Sequence, residues 1–251
     1  MSGHNKWSQI KHRKGAQDLR RSKAFTKIVK EIAVAVKKSG PDPQHNPRLR
    51  AALLWAKEEN MPQENIQRAI KKSSGKDAED NYEEITYEGF ASGNVALVVE
   101  CLSNNRNRTI SNLRVIFNKN HGHLGGNNSC VHLFQKLGWV EIFKRDISEE
   151  KLLEIAMELD LKDYFLEGEN YALVAEFSAL KALLDFLEEK KIPIQKSTPN
   201  LLPKEKLFIE DLQTAQKIMQ LVDALEDDDD VQRVYGNFEL QDELLAEMMK
   251  E

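Results

Sequence analysis

The chain changes its charge and its hydrophobic period together near residue 76, and that break limits what it can fold into. Residues 1–75 hold 17 Lys+Arg against 6 Asp+Glu, whereas the remaining 176 hold 19 against 35. The overall balance of −5 therefore conceals a basic module fused to an acidic one. Helical spacing dominates before the break. From Tyr82 onward, short apolar alternations separated by Gly and Pro take over. Such a chain predicts a helical, polyanion-binding arm joined to an acidic α+β body.

A hydrophobic content of 41% over 251 residues supports two or three small cores. No run approaches the ~18 consecutive apolar residues of a membrane span, so no membrane partner is expected. The opening MSGHNKWSQIKHRK has no apolar stretch of the secretory kind and reads as part of the mature fold, so a cytoplasmic location is expected. Cys101 and Cys130 both fall in apolar, strand-like runs, as buried reduced thiols do.

Three helices are legible before residue 76. The first spans about Gln17 to Lys38 and stops at Ser39-Gly40-Pro41. Phe25, Ile28, Val29, Ile32 and Val36 define its apolar face, and Arg20, Lys23, Lys27, Lys30 and Lys37 cluster on the other side. Asn46-Pro47 caps and opens the second helix, which buries Leu49, Ala52, Leu53 and Ala56. The third opens near Pro62, buries Ile66, Ala69 and Ile70, and stops at Gly75. Residues 1–40 contain only Asp18 and Glu31 as acids, so the cationic face calls for an anionic partner. Lys6, Lys11, His12, Arg13 and Lys14 extend the positive charge upstream, with Trp7 among them. Trp7 either stacks on a base or sugar or anchors the bundle's core. Arg21 belongs to the same cationic group.

In the body, Tyr82–Glu88 and Val95–Leu102 read as strands. Asn104-Asn105-Arg106-Asn107-Arg108-Thr109 then opens a helix with Ile110, Leu113, Ile116 and Phe117 inward. Arg106 and Arg108 oppose the helix dipole there, so they form either a phosphate site or ion pairs with acids of the body. Cys130–Phe134 is expected as a strand. The series that follows reads β-α-β-β-α-β, with helices capped by Ser148 and Ser178, which is the ferredoxin-like order. A strand at Leu207–Ile209, a helix from Asp211 to Leu225 and a strand at Val231–Leu240 are expected to complete the first sheet. The division predicted is a basic three-helix domain over 1–78, a discontinuous α+β domain over 79–136 and 205–251, and an inserted ferredoxin-like domain over 137–204.

His121, His123, Cys130 and His132 are the right elements for zinc, but their spacing matches no structural zinc pattern, and no metal is expected. Glu226-Asp227-Asp228-Asp229-Asp230 lacks calcium-loop spacing and reads as a solvated turn. No nucleophile, P-loop or metalloprotease motif is present, so neither an enzyme nor a cofactor nor a small-molecule substrate is expected.

These residues carry a resemblance to the YebC/PmpR family. The matching stretches are Gly3-His4-Asn5-Lys6-Trp7, Ile10-Lys11-His12-Arg13-Lys14, Asn46-Pro47-Arg48-Leu49-Arg50, Asn60-Met61-Pro62, Tyr87-Glu88-Gly89, Asn105-Arg106-Asn107-Arg108-Thr109 and Val234-Tyr235-Gly236-Asn237-Phe238. The resemblance implies a three-helix domain and two α+β domains arranged as an open U. It also implies a cytoplasmic transcriptional regulator that binds DNA. Mitochondrial relatives resemble translational activators, so the alternative is a ribosome-associated factor that grips ribosomal RNA and relieves stalls at proline-rich stretches. The chain departs from the family at Asn5, Ser73, Asn94, His121 and His123. A His at position 121, where Gly is usual, puts the tight turn before Leu124-Gly125 in question.

Overall fold

The computed structural model describes residues 17–75 and 81–248. Among the described residues, three helices come first: α1 (Gln17–Ser39), α2 (Pro47–Glu58) and α3 (Gln63–Ser74). The strands β1 (Glu83–Ala91) and β2 (Val95–Ser103), the helix α4 (Arg106–Lys119) and the short β3 (His123–Leu124) follow. Next are β4 (Phe134–Phe143), α5 (Glu149–Glu158), β5 (Asp163–Glu167), β6 (Asn170–Glu176), α6 (Leu180–Glu189) and β7 (Ile194–Pro203). The chain closes with β8 (Leu207–Ile209), α7 (Leu212–Glu226), β9 (Val231–Gly236), β10 (Phe238–Leu240) and α8 (Asp242–Met248). Gln135–Leu202 form one compact unit and the residues on either side of that segment form the other. The larger unit holds both the described helices before residue 76 and the first sheet.

The bundle is organised by Asn46. Its Oδ1 accepts the Leu49 N–H at 3.0 Å, and its Nδ2 donates to the carbonyls of Ala35 and Gly40, both at 2.8 Å. One fully buried side chain thus caps α2 and fixes where α1 ends. Pro47 at the first helical position loses no hydrogen bond there. Ile28, Ile32, Ala35 and Val36 then meet Leu49, Ala52 and Ala56 of α2 and Ile66 and Ala69 of α3.

The first sheet runs β3-β1-β2-β9, antiparallel throughout. Val95, Leu97, Val99 and Cys101 alternate along β2 and share a core with Leu113 and Phe117 of α4 and Ile218, Val222 and Leu225 of α7. The expected strand over Val231–Leu240 is broken at Asn237. Its Oδ1 accepts the Ala96 N–H at 2.8 Å and its carbonyl accepts the Leu207 N–H at 2.7 Å. Asn237 therefore hands the chain from β9, in the first sheet, to β10, which pairs in parallel with β8 in a sheet of two. Consequently β8 does not extend the first sheet.

Gln135–Leu202 fold as the ferredoxin-like order predicts, with strands arranged β5-β6-β4-β7. Val140, Ile142, Leu173 and Ala175 of the sheet pack with Leu152, Ile155, Leu183 and Leu187 of the two helices. Ser148 caps α5 by accepting the Lys151 N–H. Ser178 does not cap α6; it lies within a 3-10 turn, Phe177–Ala179, that leads directly into the helix.

Among the described residues, four helices end on a non-glycine residue in the left-handed region: Asn60, His121, Asp160 and Lys191, with φ between 48° and 60°. In each case the next N–H reaches back to close the helix, as Gly122 does to Phe117 at 2.9 Å. The tight turn at His121 is thus kept despite its side chain, and His121 carries the strain that a Gly would not. Its neighbour Gly122 is needed for space: a Cβ there would stand 2.6 Å from Leu221 Cδ2 and 2.7 Å from the Phe90 carbonyl. His121→Gly is expected to stabilise the protein by about 0.5–1 kcal/mol, read as a rise of a few degrees in Tm. An unchanged or lower Tm would contradict this account of the turn.

Candidate nucleic-acid interface

Cations on α1 far outnumber its two acids, Asp18 and Glu31, so much of their charge must be met from elsewhere. The fold meets much of it internally, through the loop between α7 and β9. Lys27 Nζ donates to the Glu226 carbonyl at 2.6 Å, and Lys30 Nζ donates to the Asp229 carbonyl at 2.7 Å and to Asp230 Oδ1 at 2.6 Å. Lys23 Nζ lies 3.2 Å from Asp227 Oδ1. Lys27 and Lys30 are only 9% and 7% exposed. Burial pushes the Lys27 ammonium's pKa down, against the opposing pull of Glu226, Asp227, Asp228 and Asp229.

Asp230 is the centre of this arrangement, 4% exposed. Besides Lys30 it takes Arg108 Nη2 at 2.9 Å and the Thr109 hydroxyl at 2.7 Å, while Thr109 Oγ1 stands 2.6 Å from Ser103 Oγ. Burial opposes its charge, but the hydrogen bonds from Lys30, Arg108 and Thr109 outweigh it and hold the carboxyl below the usual aspartate range. The acidic run is therefore a structural staple between bundle and sheet, not a solvated turn. A second tie is made at Glu84, which receives Lys38 and Arg48, and Arg48 also grips Glu31 with Nε at 2.7 Å. Lys37 donates to Asn81 Oδ1.

The Asn105-Arg106-Asn107-Arg108-Thr109 motif divides by role. Asn105 caps α4 by accepting the Arg108 N–H at 3.0 Å. Arg108 and Thr109 hold Asp230, so of the two readings for Arg108 the ion pair is the one found. Arg106 is exposed, and its carbonyl accepts the Tyr87 hydroxyl at 3.4 Å.

Sequence reasoning passed over Glu88, which is 7% exposed on β1. Its Oε1 accepts the Asn128 N–H at 2.6 Å, and its Oε2 accepts those of Cys130 and Val131 at 2.7 and 2.6 Å. Burial works against the charge, but the three backbone donors hold the carboxyl below its usual range. This pull also explains why Cys130–Phe134 is not a strand: Val131–Leu133 curl into a 3-10 turn around the carboxylate. Cys130 is fully buried, its Sγ 3.4 Å from the Leu97 carbonyl, and does not share a strand face with the exposed His132. His123 stacks on Phe90 with ring centroids 5.3 Å apart.

The expected phosphate contacts therefore sort into three groups. Lys23, Lys27, Lys30 and Arg108 are engaged by the chain's own acidic loop, Lys27 and Lys30 from buried positions. Arg21 and Arg106 are exposed, with the Arg21 guanidinium 5.9 Å from the Phe25 ring, and Arg20 lies in the first turn of α1. Lys6, Trp7, Lys11, His12, Arg13 and Lys14 lie outside the described residues.

A family model described as the TACO1/YebC protein N-terminal domain matches residues 5–76, and one described as the TACO1/YebC second and third domain matches residues 82–238. A probable transcriptional regulatory protein of Geobacter sulfurreducens is 43% identical over 249 residues, 99% of this chain and 100% of its own. One from Desulfotalea psychrophila is 41% identical over 248 residues, 99% of each. Among solved structures, a conserved hypothetical protein of Aquifex aeolicus is similar with a TM-score of 0.83 at 42% identity, over 95% of this chain and 98% of that one.

Proposed function

Because the chain belongs to the TACO1/YebC family, we propose that it is a non-enzymatic regulator of transcription that acts in the cytoplasm by binding DNA. The observation that carries this reading is the acid-free concentration of positive charge at the start of the sequence. Residues 1–16 contain Lys6, Lys11, Arg13 and Lys14 and no Asp or Glu. With Lys23, Lys27 and Lys30 engaged by the acidic loop, this reading assigns the phosphates to that segment together with Arg20 and Arg21. The description of the relatives as probable transcriptional regulatory proteins points the same way.

In-cell crosslinking followed by sequencing of bound DNA and RNA is the test. Peaks at promoters are expected, and they should vanish in a Lys11→Ala, Arg13→Ala, Lys14→Ala variant. In vitro, that variant should lower the salt slope of log K for duplex DNA by about 0.9 for each phosphate contact removed. Peaks confined to ribosomal RNA would replace this reading with that of a translation factor on the ribosome.

A further inference from the structure

We infer that the outer face of α4 is a second nucleic-acid contact surface, one that touches base edges or sugars as well as phosphates; this rests on the nucleic-acid reading above. The first observation is compositional. The 14 residues of α4 include Arg106, Arg108, Arg114 and Lys119 and no Asp or Glu, and it is alone among the described helices in lacking an acid. That is unexpected in a body with nearly twice as many acidic as basic residues.

The second observation is geometric. Thr109, Leu113 and Phe117 face the core. At about 100° per residue, Asn107, Ser111, Arg114, Val115 and Asn118 then fall within one arc on the opposite side, and all five are exposed. Asn and Ser are weak helix formers, and a solvated face gains more from Glu, Lys or Ala. The exposed side of α5, for comparison, carries Glu149, Glu150, Glu154 and Glu158. A helix that forgoes stability on its outer face for amides, a hydroxyl and a guanidinium presents the groups that pair with base edges and phosphates. Val115, 51% exposed among them, suits a thymine methyl or a sugar and is too small an apolar area to seat a protein.

The third observation concerns the nearest acids. Asn112 reaches Asp228 at 3.4 Å and Arg108 holds Asp230, but those carboxylates belong to the loop already gripped by Lys23, Lys27 and Lys30. The bundle's lysines thereby relieve α4 of a neighbouring negative field, and Arg106, Arg114 and Lys119 keep their charge for a polyanion.

The test is an Asn107→Ala, Arg114→Ala, Asn118→Ala variant of the full chain. Binding is followed by fluorescence anisotropy with end-labelled duplex DNA and single-stranded RNA at several salt concentrations, beside a thermal melt. The expected result is binding weakened by about tenfold or more. The salt slope on duplex should fall by about 0.9, from Arg114 alone, and the Tm should be equal or higher, because Ala is the better helix former. Loss of affinity with a higher Tm separates a contact surface from a structural role. Unchanged affinity and slope, while the Lys11/Arg13/Lys14 variant loses binding, would overturn this inference and leave the proposed function standing. A wild-type chain that binds neither probe overturns both, and intact probe binding with loss of a protein partner assigns the face to protein instead.

Discussion

Asp230→Ala is expected to destabilise the unit that contains it by about 3–5 kcal/mol, because the substitution leaves Lys30 buried without its carboxylate and takes from Arg108 and Thr109 their charged acceptor. For a unit of this size that corresponds to a Tm lower by on the order of 10 °C. The magnitude follows from asymmetry: a buried pair contributes little net stability when intact, but a lone buried ammonium is costly. The same network fixes a pH dependence. The folded-state pKa of Asp230 lies below its ordinary value, so its contribution is complete above the ordinary carboxylate range and is lost as pH falls through the folded-state value. Urea unfolding at neutral pH and at several acidic values should show wild type and Asp230→Asn converging as pH drops. Parallel curves, or a neutral-pH loss under about 1 kcal/mol, would mean that the network is a surface ornament.

Glu88→Gln should be almost as damaging, at about 3 kcal/mol, although it adds no volume and removes no packing. One carboxylate accepts the N–H groups of Asn128, Cys130 and Val131. An amide offers one oxygen and turns its own NH2 toward the remaining donors. The segment from Gly125 to Val131 is also tied to β1 by the Gly125 N–H on the Glu88 carbonyl, at 2.8 Å. Amide exchange at Asn128, Cys130 and Val131 should therefore accelerate in the variant while that of β2 is retained. Cys130, whose thiol burial pushes up, should become reactive to a thiol reagent. Native exchange rates at those three amides would show that the carboxylate is dispensable.

What the sequence disclosed and what it withheld follow from the range of the forces involved. Asn46-Pro47 announced α2 because a cap and a helix start are local, and the cap is found. The β-α-β-β-α-β order was readable for the same reason, since each element carries its own period and its own turn. The pairing of Lys27 with Glu226, 199 positions away, has no local signal. An acid-poor basic helix and an acid-rich turn each look unsatisfied alone, and only the topology brings them together. The expectation of an external polyanion rested on the shortage of local acids, and for Lys23, Lys27 and Lys30 distant acids supply partners. Glu88 was passed over because a lone Glu on a strand resembles any solvated strand position; its three backbone partners belong to a loop whose path is fixed by the fold. The short apolar run from Cys130 to Phe134 misled for a related reason, as five residues cannot distinguish a strand from a turn wrapped around a carboxylate.

The claim on which the rest depends is that lysines of the bundle are divided between an internal role and a binding role. Amine-reactive labelling of the full chain, read residue by residue by mass spectrometry with and without duplex DNA, measures that division directly. Lys27 and Lys30 should react far more slowly than the exposed Lys57 and Lys71, and equally slowly whether or not DNA is present. Lys6, Lys11 and Lys14 should lose reactivity when DNA is added. Ready labelling of Lys27 and Lys30 in the free protein, with protection appearing only on addition of DNA, would contradict the account.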